Sequence, residues 1–237
     1  DCPQPFYEVK DNTQRLFAPS SLQQLNREVR RILVRDWVLL DLKSAHLAIC
    51  ARRWHVEPLL RFLRQGGDIW KELIEHVGLP KRVLKNALYA LTYGAGVWWT
   101  NYGKQEPKLV KTFLDAGYTE EEAKQARSAL ISHPLIDSLY KARKEQVAKI
   151  KSRGYIKDVF GSTLQIEESS NTDSEAERSD NTNALTLLTA EASALEMYLL
   201  WPAFKKVIDK ERRCKIMLYT FDGMYIKPDD PRRRDTW

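Results

Sequence analysis

The chain of 237 residues contains no run of about 18 consecutive apolar residues, so no membrane-spanning helix is expected. It has only three cysteines, Cys2, Cys50 and Cys214, odd in number and far apart. That argues against a disulfide framework or a cysteine-built zinc cluster and makes a reducing compartment the default. His55, His76 and His133 lack metal-ligand spacing and read as exposed or packed structural residues. Internal repeats are absent, and so is a positively charged stretch followed by an apolar one, so no signal peptide is read. The chain opens DCPQPFYEV without an initiator Met and stops at PDDPRRRDTW, which reads as a domain cut from a longer polypeptide.

What is present is the composition of a folded globular chain, 43% hydrophobic and 30% charged, long enough for one large or two small domains. Basic residues number 38 against 32 acidic, a net of +6. Residues 167–182 hold six acids and one base; without them the remainder has 37 basic and 26 acidic residues, or +11. So basic a body points to a polyanionic partner, with nucleic acid ahead of a membrane surface.

The apolar run WVLLDL, ending near Leu42, predicts a buried strand, and the segments from Ser44 to Gln65 turn helical. DIWKELIEHVG is an amphipathic helix closed by Gly78, and Pro80 opens a further helix running to Gly94. Residues 106–117 and 119–152 read as helices, with a Thr119–Glu122 capping box and a break at Pro134. GYIKDVFGSTLQI alternates as a hairpin or bent ribbon around Gly161, whereas acidic 167–182 reads as a solvated loop. A helix follows from Asn183 to Lys210, and then two strands flank Asp222-Gly223, a favoured two-residue hairpin turn. A strand, a long helical insertion and a hairpin together predict an α+β fold, a small sheet carrying a helical subdomain.

Asp41 ends the first strand and Asp222 sits at the hairpin. Either alone suits an ordinary strand end or turn. On adjacent strands of one sheet, they could hold two Mg²⁺ ions about 4 Å apart, as phosphoryl transfer needs. Lys81, Lys85, Tyr89 and Tyr93 recur every four residues, each about 40° round from the last, and form one slowly winding stripe. Leu84, Leu88 and Leu91 already supply an apolar face, which leaves the stripe available to grip a triphosphate and stack on a base.

The pattern Lys81-x3-Lys85-x3-Tyr89-x3-Tyr93-Gly94 resembles the O-helix motif of family A DNA polymerases, R-x3-K-x3-F/Y-x3-Y-G. DLKSAHL at 41–47 resembles that family's first palm motif, DYSQIEL, and TFDGMYI at 220–226 its last, VHDEL. GYIKDVFG at 154–161 is similar to the GYVETLFG-type ribbon, NALTLLTAEA at 183–192 to the N-x3-QGTAA helix, and TQRLFAPSSLQQL to TGRLSSSDPNLQNI, which contacts template-primer. Order and approximate spacing hold from Thr13 to Ile226.

The resemblance implies a right-hand polymerase palm, a small antiparallel sheet, with a helical fingers subdomain. The palm would comprise 1–50 and 183–237, and the fingers 51–182 with the acidic loop 167–182; thumb and exonuclease domains would be absent from this chain. The implied activity is template-directed DNA polymerisation, a nucleotidyl transfer extending a primer 3′-OH with dNTPs in DNA replication. Asp41 and Asp222 would bind two Mg²⁺ ions, with Mn²⁺ able to substitute, and the Leu42 carbonyl would assist. Lys85 would contact the triphosphate, Lys81 its outer phosphates, and Tyr89 the base and sugar. Tyr93 and Gly94 would lie at the template position, and Arg15, Gln23, Gln24 and Asn183 would hold the primer-template DNA. Other domains of a longer polypeptide or replication proteins are further implied partners, with no membrane, in a cytoplasmic setting of bacterial or viral replication. The alternatives are a single-subunit RNA polymerase-like enzyme and a catalytically inactive nucleic-acid-binding palm module.

The departures are specific. Lys81 stands for the family's Arg and loses bidentate phosphate geometry. Phe221 replaces the His before the metal-binding Asp, Gly223 the acid after it, and Leu187 a minor-groove Gln. His46 replaces the Glu that excludes ribonucleotides, and a leakier steric barrier is expected of it. Such drift suits a phage- or plasmid-type replicase.

Overall fold

The computed structural model describes residues 7–9, 16–19, 21–93, 107–166, 173–209, 214–221 and 223–230, with backbone alone at 9, 27, 173–183 and 207–209. The chain divides into two compact units: Asp1–His46, Lys157–Leu164 and Ala190–Trp237 form the first, Leu47–Ile156 and Gln165–Thr189 the second.

In the first unit, β1 (Glu8–Val9) and β2 (Leu16–Phe17) pair antiparallel, and a 3₁₀ turn at Leu22–Gln24 leads to α1 (Arg27–Leu33) and β3 (Val38–Asp41). The second unit takes most of α2 (Ala45–Arg53), then α3 (Glu57–Arg64), α4 (Ile69–Val77), α5 (Lys81–Thr92), α6 (Lys108–Leu114), α7 (Glu120–Ser132) and α8 (Pro134–Arg153). A two-stranded ribbon follows, β4 (Tyr155–Lys157) with β5 (Thr163–Gln165), then the 37-residue α9 (Asp173–Asp209). Strands β6 (Cys214–Tyr219) and β7 (Gly223–Pro228) complete a three-stranded sheet in the order β3-β7-β6, antiparallel throughout. The α+β expectation holds: helices predominate and the sheet is small.

Alternation explains how the sheet is buried. Val38, Leu40, Met224 and Ile226 pack with Met197 and Leu200 of α9, while Leu39, Tyr225 and Leu218 face Val34 and Trp37 on the other side. Apolar side chains on both faces account for the unbroken apolar run in β3. In the helical unit, Gly78 ends α4 with φ 76° and Thr119–Glu122 forms a complete capping box. Pro134 stands at the first position of α8, so the helical pattern breaks at His133, as the sequence predicts.

Two expectations need correction. Residues 173–182 are not a loop but the first turns of α9, while 167–172 lie outside the described residues. Acidic composition suits that end, where the helix dipole favours negative charge, and the helix at 183–209 supplies a nucleus onto which further turns add without a new nucleation cost. Nor is Gly223 a turn residue. It is the first residue of β7, paired with Asp41, and the left-handed conformation falls on Phe221, at φ 64°.

Candidate active site

Helix α5 buries Leu84, Ala87, Leu88 and Leu91, each at most 1% exposed, and packs on α4, α6 and α8. Fixing that face turns the opposite one outward: Lys81 and Lys85 are exposed, Tyr89 and Tyr93 half-buried. Lys81 Nζ stands 5.7 Å from the Trp70 ring centre and Lys85 Nζ 5.4 Å from that of Tyr89. The Tyr89 and Tyr93 rings are 6.0 Å apart and tilted by 33°. These separations lie within the range of cation–π attraction and offset ring packing. The sequence stripe is therefore continuous in space: two cations lead into two rings.

The end of α5 is tied down. Thr92 Oγ1 donates to the carbonyls of Leu88 at 3.0 Å and Tyr89 at 3.1 Å, and buried Arg143 of α8 donates through Nη1 to Leu91 O. Burial lowers the Arg143 pKa from its ordinary value, yet a guanidinium keeps its charge in proteins. A cation at a helix C-terminus is favoured by the dipole and by the free carbonyls. Tyr93, which caps α5, inherits a fixed position. Sequence reasoning overlooked both Arg143 and Trp70. A lone basic or aromatic residue in an amphipathic helix carries no signal of the partner it will meet.

In the sheet unit, Asp41 is the last residue of β3 and is exposed. It pairs with Gly223, and a Cβ built on that glycine would lie 2.6 Å from Leu40 O and 3.1 Å from Asp41 Oδ1. The missing side chain lets the strands close at this point and leaves room for the carboxylate. Leu42 is partly buried against the sheet core.

Thr220 N donates to Gly223 O at 2.9 Å, closing a tight turn. Within it Phe221 holds its left-handed backbone, with its ring 5.4 Å from Phe17 and 6.0 Å from Tyr219. Such a conformation costs a non-glycine residue roughly 1–3 kcal/mol and persists where packing over-determines it. Here the two flanking rings supply that packing. Phe17 is a contact that the sequence reading did not foresee.

The expected duplex contacts fare differently. Gln23 is buried: its side-chain oxygen accepts from Ala18 N at 2.8 Å, and its amide donates to Leu16 O at 3.0 Å and Tyr219 O at 3.1 Å. Both amide hydrogens are thus engaged inside the unit, so Gln23 pins the N-terminal segment to β6 and has no donor left for a duplex. Neighbouring Gln24 is exposed. His46 is only 4% exposed. Arg15, Gly94 and Asp222 lie outside the described residues, and Asn183 is described by its α9 backbone alone.

Among the described residues no three His, Cys, Asp or Glu side chains cluster to hold a metal, and no helix is long and apolar enough to cross a membrane.

No protein-family model and no curated protein matches this sequence. Among solved structures, the chain is similar to the POL domain of Pol1 from M. smegmatis, in complex with DNA primer-template and dNTP. The TM-score is 0.69 at 17% identity, over 94% of this chain and 41% of that one. The chain therefore spans about two fifths of the length of that protein, and what they share is the fold, a helix-rich α+β arrangement built on a small antiparallel sheet.

Proposed function

We propose that the chain is the palm and fingers of a family A-like DNA polymerase that extends a primer 3′-OH with dNTPs on a DNA template. The observation that carries this reading is Asp41, exposed at the end of a three-stranded antiparallel sheet and paired with Gly223, the residue that follows Asp222 in sequence. The polymerase-domain fold and the Lys81–Tyr93 stripe support it.

Residues 1–50 and 183–237 serve as palm and 51–182 as fingers. Carboxylates and a backbone carbonyl are the hard oxygen donors that Mg²⁺ prefers, so Asp41, Asp222 and the Leu42 carbonyl would hold the ions. When bound, such ions lower the pKa of an attacking hydroxyl and neutralise a leaving pyrophosphate. Lys85 and Lys81 bind the triphosphate as point charges, and the Tyr89 ring takes the base and sugar. Tyr93 and Gly94 meet the template, and Arg15, Gln24 and Asn183 hold the duplex through contacts that carry little sequence information. The setting is replication in a bacterial or viral cytoplasm, alongside the domains or proteins that complete the enzyme.

Primer extension with Mg²⁺ tests the reading, comparing dNTPs with NTPs and primed with unprimed template. Primed synthesis from dNTPs is expected. Asp41→Asn should reduce its rate by far more than tenfold, the equivalent of about 1.4 kcal/mol of barrier, with DNA affinity unchanged or slightly raised. Unprimed synthesis from NTPs would favour an RNA polymerase, and DNA binding without synthesis an inactive module.

A further inference from the structure

The C-terminal half of α9 has an inner face of Met197 and Leu200, buried in the sheet core, and an outer face that ought to be polar. Instead Tyr198 is 50% exposed, and Leu199 and Trp201 are each 52% exposed. Phe160, 45% exposed, joins them from the turn after β4, with its ring 6.1 Å from that of Tyr198 and inclined at 72°. That turn is held by hydrogen bonds: the Asp158 carboxylate accepts from Phe160 N at 2.9 Å and Ser162 N at 2.8 Å, and Gly161 supplies the positive φ. The ring is thus held in water by the backbone. All these residues belong to the first unit. Single exposed apolar side chains are ordinary, but a contiguous group marks a contact surface.

Charge indicates what the surface contacts. On α9 the spacing Tyr198, Trp201, Lys205 keeps one face, with Lys206 beside it. Both lysines are exposed, and neither has an ion-pair partner among the described residues. Ring faces beside exposed ammonium groups match unpaired bases on a phosphate backbone.

We propose that Phe160, Tyr198 and Trp201, with Lys205 and Lys206, form a single-strand-binding surface outside the polymerase site. The occupant is an unpaired stretch of DNA whose bases stack on the rings while its phosphates meet the lysines. Only the identity of that strand, the template or a displaced strand, rests on the polymerase reading.

Fluorescence anisotropy of the full chain with a labelled oligothymidylate of about 20 nucleotides tests the proposal, with a blunt duplex of equal length beside it. Replacing all three rings, as Phe160→Ala, Tyr198→Ala and Trp201→Ala together, should weaken oligonucleotide binding at least about tenfold and leave duplex binding unchanged. Removing both lysines, as Lys205→Ala with Lys206→Ala, should lower the slope of log affinity against log salt by about 1.4. Trp201→Phe, which keeps a stacking ring, should retain binding and controls for damage to the fold. Unchanged oligonucleotide affinity in the ring and lysine variants overturns the proposal. So does a ring variant that loses only self-association, or only binding to vesicles of phosphatidylcholine and phosphatidylserine. Primer extension separates the two readings. Loss of oligonucleotide binding in a chain that never extends a primer sinks the polymerase reading alone, whereas normal extension with unaltered oligonucleotide binding sinks the surface alone.

Discussion

At the scale of single residues, two of the positions that depart from the resembled motifs make separate predictions. Gly223 replaces the acid of the resembled motif, and any Cβ there would press on Leu40 O at 2.6 Å. Gly223→Ala should therefore cost about 1–3 kcal/mol, in the range of an overpacked core, read as a lower urea midpoint. An unchanged midpoint would mean that β3 and β7 tolerate a wider separation. His46 is the second. Its burial at 4% exposure adds a packing role to the steric one expected beside the sugar. His46→Gly should lower both the dNTP-over-NTP preference and stability, and His46→Glu should sharpen the preference. A fall in stability with the same preference in all three proteins would leave His46 a packing residue only.

These residues also show what the sequence could and could not reveal. The α5 stripe was legible because four-residue spacing on a helix is a geometric fact that local sequence determines. Gly223 was misread because Asp-Gly is a turn signal, and only strand pairing reveals that the glycine is needed for close approach. Gln23 was misread for the same kind of reason: its three partners lie 5, 7 and 196 residues away. Local pattern cannot report a bond of that last span.

At the scale of elements, the joint between α7 and α8 has a pH dependence built into it. His133 caps the end of α7, is buried, and lies edge-on to His76 of α4 at 4.9 Å, with Glu72 Oε1 3.9 Å from its Nε2. Among the described residues its Nδ1 has no hydrogen-bond partner. Burial pushes the His133 pKa below its ordinary value; His76 adds to the effect and Glu72 opposes it. The unfolded chain therefore takes up this proton first as pH falls. The contribution is complete above the unfolded value of about 6.5 and is lost as pH drops through it towards the lower folded value. His133→Gln, which cannot titrate, should show a shallower fall in urea midpoint between about pH 7.5 and pH 5.5 than the wild type. Parallel curves would show that the joint does not respond to this proton.

At the scale of the whole molecule, charge distribution decides how the protein meets a polyanion. The net +6 conceals a +11 body and a −5 segment at 167–182, whose later residues form the start of α9. Counter-ion release drives binding to DNA, and its salt dependence counts the phosphates neutralised, with a slope near −0.9 per phosphate on duplex. An acidic segment that does not itself touch DNA alters only the long-range field, which salt screens over about 10 Å at 0.1 M. Changing its six carboxylates to amides should raise affinity for random-sequence duplex several-fold at low salt. The gain should vanish as ionic strength rises and the Debye length shrinks to about 3 Å near 1 M. If the segment instead occupies the DNA path, its neutralisation releases it and raises affinity by a similar factor at every salt concentration, leaving the slope unchanged. Anisotropy titrations of both proteins across a salt series separate the two outcomes, since a screened field brings the two curves together at high salt and a displaced competitor keeps them apart.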